Sequence, residues 1–214
     1  MDYRVISIGA LSHHPLWASD GATRTAHATT TLIRSEAKVI LVDPALPFEI
    51  LEARLAERAG LRADQVTDVF LTNFRPAHRR ALTGFDKAAW WIGEAERETI
   101  GVHLVAELEN HDSDSDVAAA LKHDIAILQR CKAAPDKLAP QVDLFPLPGF
   151  TPGTCGLLLT PAQMTVLVAG DAVPTVEHVE QGRILQSAFD LEQARQSLAE
   201  AIEIADWIIP GHDN

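Results

Sequence analysis

Between Leu71 and Arg80 the chain reads Leu71-Thr72-Asn73-Phe74-Arg75-Pro76-Ala77-His78-Arg79-Arg80, which gathers a histidine, three arginines, an asparagine and a proline. An imidazole can bind a metal or move a proton, and guanidinium groups can hold a carboxylate or phosphate. The run Val66-Thr67-Asp68-Val69-Phe70 before it reads as a strand, so the stretch lies just past a strand's carboxyl end, where open α/β sheets bind ligands. Asp43, Phe150 in its Gly-Pro frame, Asp171 and His212 follow apolar runs in the same way. Two histidines and a carboxylate are donor types of a divalent-metal site. With nine histidines in 214 residues, some fall at strand ends by chance, and spacing alone does not separate a ligand from a structural histidine.

The elements that would position these residues can be read in order. Residues 4–10 alternate as a first strand, and a long polar stretch, 11–28, follows with His13, His14, Trp17, Asp20, Gly21 and His27. Loops of such length often border a site. Residues 29–34 and 38–42 form a hairpin that ends at Asp43-Pro44. Residues 47–59 carry apolar side chains at helical spacing and stop at Gly60. A strand over 64–72 leads into the basic stretch, a short strand over 88–92 contains Trp90 and Trp91, and 94–99 reads as a short helical turn.

The acidic run 112–116 precedes Val117, Leu121, Ile125 and Leu128 at helical spacing. It reads as a solvated helix start rather than a calcium loop, since the glycine and the terminal glutamate of such a loop are missing. Strands are expected over 142–147, 155–159 and 165–169, then a polar segment over 172–186, a helix over 191–205 and a last strand over 207–209. Two groups of strands, each closed by helices, predict sheet packed on sheet with helices outside: an α/β, four-layer αββα sandwich built as a single domain over 1–214.

Net charge −12 argues against nucleic acid and anionic membrane as partners and leaves a small molecule as the expected one. Cys131 and Cys155 show no C-x-x-C spacing, so neither a disulfide framework nor a cysteine zinc site is expected, and a cytoplasmic setting fits. The first nine residues lack the pattern of a secretory signal, and no apolar run approaches the roughly 18 residues that span a bilayer. Oligomeric state is not encoded in these features.

Five segments, in order, carry a resemblance: Leu-Val-Asp-Pro-Ala-Leu at 41–46, Val-Phe-Leu-Thr-Asn-Phe-Arg-Pro-Ala-His at 69–78, Leu-Pro-Gly-Phe-Thr-Pro-Gly-Thr at 147–154, Val-Ala-Gly-Asp-Ala-Val at 168–173 and Ile-Pro-Gly-His at 209–212. Together they resemble the metallo-β-lactamase fold superfamily over nearly the whole chain. The resemblance implies an αββα fold with a site along one edge of the sheets and, in active members, two zinc, iron or manganese ions that activate water. Asn73, Arg75 and Ala77 stand where the H-x-H-x-D-H motif has ligands, and Phe150 replaces the histidine of P-G-H-T. His78, Asp171 and His212 are retained, so the resemblance leaves one site with three ligands and abolishes the other. It also makes Asp43 a residue that orients a ligating histidine from behind, and places His13, His14 and His178 on segments flanking the mouth. Each of those three histidines reads first as a surface residue, and Trp90-Trp91 as core.

Without two ions about 3.5–4 Å apart, two-metal hydrolysis is not expected. Two readings follow. In one, the centre is degenerate and its cavity takes a small anionic ligand through Arg75 and Asn73. In the other, a single Zn, Fe or Mn on His78, Asp171 and His212 hydrolyses a small ester, thioester, amide or phosphoester. Arg75 is expected to pair with Asp171, and Arg79 and Arg80 to solvate a helix start.

Overall fold

The computed structural model describes residues 1–14, 16, 24–112 and 115–213. Trp17, Asp20 and Gly21 of the first long loop, and Ser113 and Asp114 of the acidic run, lie outside the described residues. Eleven strands and five α-helices are present among those described.

The amino-terminal sheet has six strands in sequence order: β1 (Asp2–Ser7), β2 (Thr30–Ser35), β3 (Lys38–Val42), β4 (Asp68–Leu71), β5 (Ala89–Ile92) and β6 (Lys132–Ala133). β1, β2 and β3 are antiparallel, while β3 to β6 run parallel. The parallel half needs crossovers, which α1 (Phe48–Ala59) and the pair α2 (Glu94–Glu109) and α3 (Asp116–Arg130) supply. The second sheet holds β7 (Lys137–Ala139), β8 (Val142–Pro146), β9 (Cys155–Leu159), β10 (Val166–Gly170) and β11 (Trp207–Pro210), in the order β11-β10-β9-β8-β7. α4 (Val176–Gln181) and α5 (Leu191–Ile204) lie between β10 and its parallel neighbour β11.

Side-chain alternation explains the layers. Along β3 and β4, Leu41, Val69 and Leu71 pack with Leu51, Leu55, Ile127 and Leu128 of the helices. Ile40, Val42 and Phe70 point the other way, against Leu157, Leu159, Val166 and Val168 of the second sheet. From that sheet Leu167 and Ala169 turn outward onto Ala194, Leu198 and Ala201 of α5. The period of two places alternate residues on opposite faces, and two sheets with both faces apolar need a covering layer on each outside. The expected αββα sandwich is therefore present.

Several boundaries differ from the sequence reading. β1 covers Asp2–Ser7 rather than 4–10, and Ala10 makes only an isolated bridge to His27. Residues 63–65 form a 3-10 turn, so β4 begins at Asp68. The largest difference is α2, which runs for 16 residues where only a short turn was expected. Its fully buried residue is Glu96, whereas Val102 and Val105 are exposed, so it has no apolar stripe to reveal it. α4, β6 and β7 are short and were not expected. Cys131 and Cys155 are both free and buried. Among the described residues no helix is long and apolar enough to cross a membrane.

Phe70 is fully buried between the two sheets. Phe70→Ala is expected to lower the unfolding free energy by about 3–5 kcal/mol, measured by urea denaturation, because the rigid interface cannot close over the lost ring.

Candidate functional site

Four chain segments build the site, each leaving the carboxyl end of a strand. Asp43 follows β3 with φ 49°, a left-handed conformation that Asp tolerates better than most residues. This turn lets its Oδ1 accept from the Thr72 backbone N–H (2.9 Å) and its Oδ2 from the Thr72 hydroxyl (2.7 Å). His78 sits on the 3-10 turn Pro76–His78, fully buried, with Nδ1 2.9 Å from Asp43 Oδ2 and Nε2 2.8 Å from Asp171 Oδ2. Asp171 follows β10 at Gly170, whose φ is +55° and where any Cβ would strike the Thr72 side chain. His212 follows β11, with Nε2 2.8 Å from Asp171 Oδ1.

Asp171 thus bridges the two imidazoles. His212 Nδ1 donates to the His27 carbonyl (3.0 Å), which fixes a proton there and turns Nε2 toward Asp171. Asp43 does the same for Nδ1 of His78. A nitrogen lone pair 2.8 Å from a carboxylate oxygen is repulsive unless a proton or a metal cation lies between them. The donor set therefore fits one divalent metal: His78, Asp171 and His212 have donor atoms all within 4.8 Å of one another, and both histidines have their other nitrogen oriented by an acceptor.

In the metal-free state protons take that place. Burial disfavours a charged His78, but the Asp171 and Asp43 carboxylates outweigh it and raise its pKa to about 10. Burial likewise opposes ionisation of Asp171, yet the His78 charge and the bond from His212 hold its carboxyl well below the usual carboxylate range. Metal binding must displace these protons.

The replaced positions lie beside this cluster. Asn73 is fully buried; its Nδ2 donates to Asp171 Oδ2 (3.1 Å) and its Oδ1 accepts from the Arg75 backbone N–H (3.0 Å). Arg75 does not pair with Asp171, contrary to expectation. The carboxylate is already enclosed by Asn73, His78 and His212, and the exposed Arg75 guanidinium lies over the Phe150 ring, 4.2 Å from its centroid. Ala77 contributes its carbonyl to the Ala28 N–H. Arg79 is no solvated helix start either: its side chain pairs with Asp124 at 2.7 Å and donates to the Phe74 carbonyl. Arg80 is exposed, as expected.

Of the flanking histidines, only His13 is exposed. His14 and His178 are buried and both approach the Thr175 hydroxyl, at 3.3 and 2.9 Å. Burial, with the nearby His14, pushes His178 down to about 4. Trp90 is core, and Trp91 is half-buried with its Nε1 donating to Asp68.

A cavity of about 300 Å³ opens beside Arg75 and Phe150. Phe74, Ile100, Leu104, Pro152 and Phe189 also line it, while His78, Asp171, His212 and Asn73 do not. Glu96, in the first turn of α2, is buried in its wall and accepts from the Phe74 N–H (2.9 Å) and the Gly153 N–H (3.1 Å). It ties the loop of Arg75 to the loop of Phe150. Glu96 lies just past β5, the same signal that marked the other candidates, but the short turn assigned there hid it.

The chain thus combines an αββα sandwich with a His-Asp-His cluster at the carboxyl ends of its strands, the features of a metallo-β-lactamase-like fold. The chain belongs to the metallo-beta-lactamase superfamily, whose pattern matches residues 24–212. A putative metallo-beta-lactamase from Thermotoga maritima superimposes with TM-score 0.71 at 17% identity, covering 99% of this chain and 96% of that one. AiiA of B. thuringiensis, solved as a mutant with N-decanoyl-L-homoserine at its active site, gives 0.69 at 19% identity, covering 99% and 92%. AidC, a dizinc quorum-quenching lactonase, gives 0.64 at 18%, covering 82% and 67%. No curated protein matches.

Two outcomes follow from this geometry. Glu96→Ala strands two buried N–H groups and is expected to cost about 2–4 kcal/mol of stability in urea denaturation. In chelator-treated protein, the raised His78 pKa contributes stability that is complete below pH 6.5 and lost as pH rises through about 10. The lowered Asp171 pKa contributes stability that is complete above its ordinary value and lost as pH falls below it. Urea midpoints are therefore expected to decline on the alkaline side, and His78→Gln to flatten that limb.

Proposed function

We propose that this chain has the fold of its superfamily without its two-metal hydrolysis, and that the cavity beside Arg75 binds a small anionic ligand. One observation carries the reading: Asn73, Arg75 and Phe150, at the three ligand positions of the metal site that the resemblance abolishes, satisfy one another and their neighbours. Asn73 supplies Asp171 with a hydrogen bond, and Arg75 stacks on Phe150. A guanidinium and an aromatic ring at these positions offer no electron pair to a cation, and the Arg75 charge opposes one. The same charge favours a carboxylate or phosphate. Structural neighbours solved with N-decanoyl-L-homoserine and N-hexanoyl-L-homoserine at their active sites support a small molecule as the ligand.

A second reading is favoured by the orientation of the two imidazoles. With Nδ1 of His78 held by Asp43 and Nδ1 of His212 by the His27 carbonyl, both Nε2 atoms face Asp171, as a mononuclear site requires. His78, Asp171 and His212 would hold a Zn, Fe or Mn ion, which when bound would supply a Lewis acid and an acidified water. Asp43 then fixes the His78 ring and its tautomer, and Asn73 holds one oxygen of Asp171 in place.

Metal analysis of protein purified without chelator separates the readings. The first predicts no bound metal between about pH 6 and 8, where His78 keeps its proton. The second predicts about one equivalent, lost in His78→Ala and in His212→Ala, together with metal-dependent hydrolysis of a small ester. Two equivalents would overturn both.

A further inference from the structure

We infer that the cavity bordered by Arg75 and Phe150 takes a monoanionic carboxylate bearing an apolar tail, an aliphatic or aryl acid rather than a phosphate. The inference rests on the anionic-ligand reading above and names the class of ligand.

The charge of the site sets the head group. Arg75 has one face covered by Phe150, which leaves the edge of the guanidinium and its N–H groups to the solvent side. Among the described residues it makes no ion pair. Such a planar fork matches a carboxylate with two parallel hydrogen bonds. The other guanidinium in the wall is spent, since Arg79 is held by Asp124 at 2.7 Å and by the Phe74 carbonyl at 2.8 Å. One unpaired guanidinium balances one negative charge. The second charge of a phosphate dianion would face the Glu96 carboxylate in the same wall, which has no cation partner among the described residues, on a chain of net charge −12.

The rest of the lining sets the tail. Ile100 and Leu104 of α2, with Phe150, Pro152 and Phe189, give the cavity an apolar side. Phe189 is 67% exposed, yet its backbone N–H is bonded to the Phe150 carbonyl, which hangs the ring at the mouth where a tail would cover it. About 300 Å³ is at the small end of ligand sites and suits a chain of a few carbons or a single ring. Glu96 contributes no contact of its own, because both of its oxygens are taken by the Phe74 and Gly153 N–H groups.

Isothermal titration of the full chain with acetate, pentanoate, phenylacetate, pentylamine and inorganic phosphate at about pH 8, where phosphate is mostly a dianion, tests this. Pentanoate is expected to bind at least roughly tenfold more tightly than acetate, since three more methylenes leave water. Phenylacetate should follow pentanoate, and pentylamine should not bind. Arg75→Ala, at an exposed position that leaves the thermal transition in place, is expected to weaken pentanoate by roughly tenfold or more, and Arg75→Lys by less. Phe189→Ala should shrink the advantage of pentanoate over acetate while keeping the preference for anions. Phosphate binding as tightly as pentanoate overturns the carboxylate class and leaves the anionic reading standing. Pentylamine binding as tightly as pentanoate, with no effect of Arg75→Ala, overturns both.

Discussion

His78 is held between two carboxylates, Asp43 on Nδ1 and Asp171 on Nε2, with essentially no solvent at any of the three. Two buried acids on one imidazole are tolerable only with a cation among them, whether a proton on the ring or a metal ion at Nε2. The surrounding structure depends on meeting that requirement. The left-handed turn at Asp43, the absence of a side chain at Gly170 and the Thr72 hydroxyl bring the ends of β3, β4 and β10 close enough for three side chains to meet. The second sheet adds His212, whose orientation is set by a carbonyl from the loop before β2. The cluster is in this sense a clasp between the two sheets as well as a candidate centre.

The replaced positions change what that clasp can do. A bound metal at His78, Asp171 and His212 would supply positive charge to balance Asp171. Here one side of it accepts from an uncharged amide, Asn73, which offsets part of its charge without adding another. Arg75 keeps a positive charge in the neighbourhood but directs it across Phe150 into a separate cavity. The proposed anion cavity is thereby adjacent to the His78–Asp171–His212 cluster and separate from it. Glu96 keeps those places in register by bonding the backbone of both loops at once.

Much of the fold was legible because it rests on alternation. Ile40, Leu41 and Val42, or Val166, Leu167 and Val168, are short β-branched-rich apolar runs bounded by turn residues, which read as strands with both faces covered, and the layers follow. The convergence of His78, Asp171 and His212 was legible from motif order, since each follows a strand of the expected sandwich. What failed had physical causes. α2 was cut short because the side chain it buries completely is a glutamate that bonds loop backbone, which no periodicity of apolar residues reports. Arg75 was assigned to Asp171 on charge alone, whereas an aromatic face lay in reach and the carboxylate was already saturated. His14 and His178 were read as surface residues because nothing local shows that a loop residue and a residue of α4 both turn inward onto the Thr175 hydroxyl.

The choice between a proton and a metal at His78 turns on preorganisation. An imidazole that must break an ion pair before it can ligate loses part of the metal's binding energy to that rupture, and the higher its pKa the larger the loss near neutrality. Against this stands a geometry that already aims two Nε2 atoms and a carboxylate at one point, with tautomers fixed from behind. A cation that replaces the His78 proton keeps the Asp43 bond intact, because Asp43 contacts the opposite nitrogen. The cost therefore falls on the one proton between His78 and Asp171. Asn73 holds the Asp171 oxygen nearest His78 in either case: its Nδ2 donates to that oxygen and lies 3.3 Å from His78 Nε2, so the amide fixes the carboxylate whichever cation stands between the two.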